Sequence, residues 1–209
     1  EPPSHVKFIF CTTEPTKIPI TILSRCQRFD FAGIQPSSIF DRLKKIAENE
    51  GVAADDDALG VLARRANGSM RDAQSLLEQL LAFSSGKIGV EDVHAMLGTA
   101  SDQRLADLVD RMIARDAAAA IVELDEAVGQ GVDIGLLVEQ LFGFLRDMMF
   151  SAVGGSAEGF LFASASDAAR IEEAAKNWGI QTVMAAMQVL DATLSRMRYS
   201  TQGRILAEL

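Results

Sequence analysis

"CQRFDFAGIQPSSIFDRLKKIAENEG", residues Cys26–Gly51, changes character part-way along. Cys26–Phe31 reads as a brief strand, and Ala32–Pro36 as a linker. From Ser38 the apolar residues Ile39, Leu43, Ile46 and Ala47 recur at helical spacing, as one buried stripe of a helix requires. Ser38 and Asp41 have the spacing of a capping box, and Gly51 stops the helix. Almost everything after this point is helical in pattern, so the fold reads as mostly α.

On the N-terminal side, "HVKFIFCTT" (His5–Thr13) is a short run of β-branched and aromatic residues between prolines. It predicts a buried strand of a parallel sheet, with Thr12 and Thr13 at its C-terminal tip. "KIPITILSR" (Lys17–Arg25) predicts a short helix between the two strands. On the C-terminal side, Asp56–Ala66, Ser69–Phe83 and Val90–Leu97 predict three further helices, which close a bundle over residues 34–98. Helices capped by Ser101 and running from Asp116 to Gly129 come next. Ile134–Phe150, Ala168–Lys176 and Ile180–Met197 follow, and Arg204–Leu209 starts one more. Residues 151–166 read as a loop.

The 209 residues are 48% hydrophobic and 23% charged, enough to bury a core. The net charge of −9 argues against a dedicated nucleic-acid binder. That charge is uneven: residues 1–98 carry 11 Lys/Arg against 13 Asp/Glu, residues 99–209 carry 9 against 16. Any phosphate chemistry is therefore expected in the first part. With two cysteines and two histidines, neither a disulfide framework nor a His/Cys metal site is expected, and a reducing cytosol is the default. Cys11 and Cys26 read as small buried residues, and His94 as a packing residue. Asp55–Asp57 reads as an acidic helix start. The opening residues do not look like a natural start, and the chain is expected to be cut at both ends.

Three places carry candidate chemistry. Arg71 falls in the first turn of a helix after the cap Ser69, where the helix dipole disfavours a cation. A bound phosphate would supply the missing anion; the plainer reading pairs Arg71 with Asp72 or another surface acid. Arg25 ends a short helix, where a cation is comfortable, so it also reads as a simple terminal charge. Thr12 and Thr13 stand where α/β sheets bind ligands, or merely finish a strand.

Taken together, "EPPSHVKFIFCTTEPTKIPITILSRCQRFDF" (1–31), "GSMRDAQSLLEQ" (68–79) and "HAMLGT" (94–99) resemble the bacterial DNA polymerase III gamma/tau subunits, AAA+ ATPases of the clamp loader. The resemblance implies three parts. Residues 1–33 would be the C-terminal end of an α/β AAA+ domain, 34–98 a helical lid, and 99–209 a helical collar for oligomerisation. It implies that Thr13 is the sensor 1 hydroxyl and that Ser24-Arg25-Cys26 is the SRC motif. Arg25 would be an arginine finger acting in trans, and Arg71 the sensor 2 arginine on ATP.

It further implies ATP and Mg²⁺ as cofactors, other clamp-loader subunits as partners in a pentamer, and a sliding clamp and primed DNA as targets. The implied place is the bacterial cytoplasm, within a nucleotidyltransferase holoenzyme. The 209 residues hold no G-x-x-x-x-G-K-[ST] loop, no Walker B pair and no zinc-ligand cysteine cluster. In the family these precede the sensor 1 strand, so the chain is expected to hydrolyse no ATP by itself. Two alternatives remain: a non-hydrolysing lid-plus-collar assembly module, and a piece of another AAA+ protein such as a branch-migration helicase.

Overall fold

The computed structural model describes residues 3, 5–83, 86–160, 162–163, 167–200 and 202–208. The chain forms two compact units, Glu1–Gly33 and Ile34–Leu209.

The first unit holds a 3-10 turn at Pro15–Lys17 and one short helix, α1 (Ile20–Leu23). Neither expected strand forms among its described residues: His5–Thr13 and Cys26–Phe31 are in no ladder. Phe8 is 65% exposed and Ile9 87%. The backbone pattern nevertheless suits a strand, since Phe8 and Phe10 stack on one side with ring centroids 6.1 Å apart, as i and i+2 do in extended chain. A strand is made by its neighbours' hydrogen bonds, and no described segment of this unit supplies them. For the same reason Cys11 and Cys26, expected to be buried, are exposed free thiols.

The second unit is built mainly of helices. It comprises α2 (Pro36–Asn49), α3 (Asp56–Arg65), α4 (Met70–Phe83) and α5 (Val90–Leu97), then α6 (Asp102–Ile113), α7 (Ala117–Gly129) and α8 (Ile134–Ala152), and finally α9 (Ala168–Trp178), α10 (Ile180–Met197) and α11 (Gly203–Glu208). Helix α2 starts three residues earlier than a cap at Ser38 predicts. Pro36 takes the first helical position, where its fixed φ suits the helix and its missing N–H costs nothing, so Ser38 is inside the helix and caps nothing. The cap of α6 forms as expected, with Ser101 Oγ accepting from the Arg104 N–H at 3.3 Å. Asp116 and Asp133 cap α7 and α8 in the same way.

Two cores result. Ile39, Leu43, Leu59, Leu62, Leu77, Leu80 and Val93 close the first bundle, α2–α5. A parallel bridge, Ala54 with Ile88, ties the segment before α3 to the segment before α5. Lys44 pairs with Asp56 at 2.8 Å and Lys87 with Asp55 at 2.5 Å, so the acidic run serves the surface of this bundle. The second bundle, α6–α11, is organised around α8, which packs on α6, α9, α10 and α11. Its core includes Leu105, Leu137, Leu141, Phe144, Leu145, Met148 and Ile171. The Phe144–Phe150 stretch is therefore mainly core, as its apolar character suggests. No helix among the described residues is long and apolar enough to cross a membrane.

Candidate functional site

The turn between α3 and α4 places Arg71. Asn67 (φ 46°) and Gly68 (φ 82°) are both left-handed, and they end one helix and aim the next within four residues. Asparagine and glycine are the residues that tolerate this backbone. The Gly68 carbonyl accepts the Ile34 N–H at 3.0 Å, which fixes the entry of the unit to the same turn. Ser69 Oγ accepts from the Asp72 N–H at 3.3 Å, one half of the expected box. The Ser69 N–H donates to Ala66 instead, at 2.9 Å.

Arg71 is exposed in the first turn of the 14-residue α4. Among the described residues it makes no ion pair and no side-chain hydrogen bond, so the pairing with Asp72 is not made. The guanidinium thus stands in the first turn of α4, at the helix end whose dipole favours an anion.

In the first unit, Arg25 is exposed just past α1, and its Nη1 donates to the Thr21 carbonyl at 2.7 Å. Ser24 Oγ donates to the same carbonyl at 3.2 Å. Two side chains therefore close a four-residue helix that could not stand on backbone bonds alone. Thr12 Oγ1 accepts from the Glu14 N–H at 2.9 Å, a local turn contact, while Thr13 is exposed with no side-chain hydrogen bond among the described residues. Thr13, Arg25 and Cys26 belong to the first unit and Arg71 to the second. Among the described residues no cluster of three His, Cys, Asp or Glu side chains could hold a metal ion.

Two features escape a reading of the sequence. Asp147 is fully buried inside α8, with Arg146 Nη1 at 2.8 Å and the N–H groups of Phe162 and Ala163 at 2.9 and 3.0 Å on its carboxylate. The sequence clue is an Arg-Asp pair inside an otherwise apolar run. Gln140, which bonds both backbone groups of Ala100, carries no local clue at all.

His94 meets Thr99 through Nδ1 at 2.9 Å. Burial holds its imidazole below the ordinary 6.5, with Glu91 opposing and Arg64 adding to the shift. Between the lowered value and 6.5 the unfolded chain binds the proton more readily, so this contribution to stability is complete above 6.5 and lost as pH falls. Asp102 goes the other way. Burial raises its carboxyl from 3.8, so its contribution is full below 3.8 and is lost as pH rises through the raised value. Thermal melting of the native protein against His94→Gln from pH 7 to 5.5 should show the native protein losing more stability than the variant. Parallel curves would remove His94 from the account.

A family model described as the DNA polymerase III clamp loader subunit ATPase lid domain matches residues 38–86. One for domain III of DNA polymerase III subunits gamma and tau matches residues 88–209. The DNA polymerase III subunit tau of Bacillus subtilis is 34% identical over the whole chain. That of Escherichia coli is 38% identical over 70% of it. The chain spans 37% of the first and 23% of the second. In fold, the Bacillus subtilis DNA clamp loader delta protein aligns with 94% of this chain and 61% of its own at 14% identity, with a TM-score of 0.46.

Proposed function

The chain belongs to the DNA polymerase III gamma/tau family, and from that membership we propose that it supplies the phosphate-sensing end, lid and collar of a clamp-loader ATPase. Within the longer protein, ATP would lie at subunit interfaces. Arg71 would bind its phosphates from the lid, Thr13 would contact the γ-phosphate, and Arg25 would reach the nucleotide of the neighbouring subunit. The partners would be other clamp-loader subunits in a pentamer, and the work would be loading a sliding clamp on primed DNA in the bacterial cytoplasm. Assembly would use the second bundle, where Ile121, Val122, Met184 and Val189 leave apolar surface exposed on α7 and α10.

The observation that carries this reading is Arg71, a cation without a partner among the described residues at the end of α4 that repels cations. A phosphate there takes both the guanidinium fork and the helix N–H groups, which fits an anion better than any neighbouring side chain does. No step is assigned to Mg²⁺, because the described residues do not gather its ligands.

The test is equilibrium binding of a fluorescent ATP analogue to the longer protein. Arg71→Ala should weaken it about 10-fold, the scale of one charge-assisted contact. Unchanged binding would take Arg71 out of the nucleotide site.

A further inference from the structure

The two bundles of the second unit have separate cores. The first runs from Ile39 to Val93 and the second begins at Ala100. Between α5 and α6 lie only Gly98–Ser101. Two separately packed bodies on a four-residue connection would ordinarily move against each other. This connection, however, is held at nearly every polar group.

On the first-bundle side, Gly98 ends α5 in the left-handed conformation (φ 65°) and its N–H returns to the His94 carbonyl. The Thr99 N–H donates to that carbonyl too, at 3.0 Å, and the Thr99 hydroxyl meets His94 Nδ1 at 2.9 Å. On the second-bundle side, the Gly98 carbonyl accepts the Asp133 N–H at 2.9 Å, at the cap of α8. Gln140, two turns along α8, then takes Ala100 from both sides. Its Oε1 accepts the Ala100 N–H at 2.8 Å, and its Nε2 donates to the Ala100 carbonyl at 2.8 Å. Ala100 is 1% exposed, so water is not competing for these bonds.

A carboxamide presents an acceptor oxygen beside an N–H donor, and Gln140 turns both on Ala100 as a neighbouring strand would. Glutamate has no donor in its ionised form, and alanine has neither group. Gln140 is not one of the candidate phosphate contacts Thr13, Arg25 and Arg71, and its amide touches the connection.

We propose that Gln140 is a positioning residue: its two bonds to Ala100 turn the lid–collar connection into a fixed joint and set the angle at which α4 is carried over the second bundle. The orientation of Arg71 relative to the collar follows from that angle. This consequence rests on the reading of Arg71 given above, whereas the joint itself does not.

The test needs no nucleotide, so it stands or falls apart from the ATP reading. Spin labels at Glu78→Cys on α4 and Glu173→Cys on α9, with Cys11 and Cys26 changed to serine, report the distance between bundles by pulsed EPR. A second pair, Glu126→Cys and Glu173→Cys, reports the second bundle alone.

The native protein should give one narrow distribution for the first pair. Gln140→Ala should broaden it about two-fold or more, and Gln140→Glu, which keeps only the acceptor, should do so by less. The second pair should be unchanged in both variants. An unbroadened first pair in Gln140→Ala, or a native distribution that is already broad, overturns the proposal. Equal broadening of the second pair overturns it as well, because Gln140 would then be serving the packing of its own bundle.

Discussion

Replacing Arg25 with alanine should lower ATP turnover of the assembled longer protein by about 10³–10⁵-fold, the range an arginine finger supplies in phosphoryl transfer. Charge spreads over the transferring phosphoryl oxygens in the transition state, and a guanidinium aimed there stabilises that charge more than it stabilises bound ATP. The loss should therefore fall on kcat, with the KM for ATP little changed. Arg25 now spends Nη1 on the Thr21 carbonyl, and reaching a phosphate means giving up that one exposed bond. This costs on the order of 1 kcal/mol or less, small beside the several kcal/mol at stake. Ser24 Oγ still holds Thr21, so α1 need not unwind when the arginine leaves. Arg25→Lys keeps the charge without the planar fork and should recover only part of the rate. Steady-state kinetics of the two variants decide the matter. A kcat within 10-fold of native for Arg25→Ala would return Arg25 to the simple role of a helix-terminal charge.

The helical part was legible because its information is local. The bounds of Val90–Leu97 and Ile180–Met197 are those the apolar stripe and its flanking glycines predict. Where a stronger local rule competed, it won: Pro36 starts α2 in place of Ser38. The strand-like segments failed for the opposite reason, because His5–Thr13 can be recognised from its residues but cannot pair by itself. Non-local polar contacts were invisible. Gln140 and Ala100 are 40 residues apart, and nothing in the sequence announces that a surface-type residue on α8 will bond a buried backbone. Arg71 was legible as an anomaly, and the structure adds that the acid expected to neutralise it, Asp72, uses its backbone N–H on Ser69 while its side chain makes no ion pair with Arg71.

Asp147→Ala should destabilise the second bundle by about 3–5 kcal/mol, the usual cost of removing one partner from a buried charge pair. The carboxylate has no exposure, and among the described residues it accepts from Arg146 and from the N–H groups of Phe162 and Ala163. Alanine leaves those N–H groups without this acceptor, at about 1–3 kcal/mol for the buried Ala163 N–H and less for that of the more exposed Phe162. The surroundings cannot collapse to compensate. Gly143, one turn earlier, has its Cα against the Phe162 ring, with no room for a Cβ, so ring and helix are already in contact. Arg146 is held separately by the Gly159 carbonyl at 2.9 Å and lies 4.9 Å over the Phe150 ring, so it stays behind with its charge less well matched. Asp147→Asn keeps an acceptor oxygen for the N–H groups and should cost about half as much, since it loses the charge but not every bond. Trp178, the single tryptophan, packs against the second core and reports that bundle alone in urea titrations followed by fluorescence. With slopes of about 1–3 kcal/mol per molar urea, the midpoint for Asp147→Ala should fall by 1 M or more. A shift worth less than about 1 kcal/mol would mean that Asp147 does not fasten residues 162–163 to α8 in solution, and that the aspartate is tolerated in the core without being needed there.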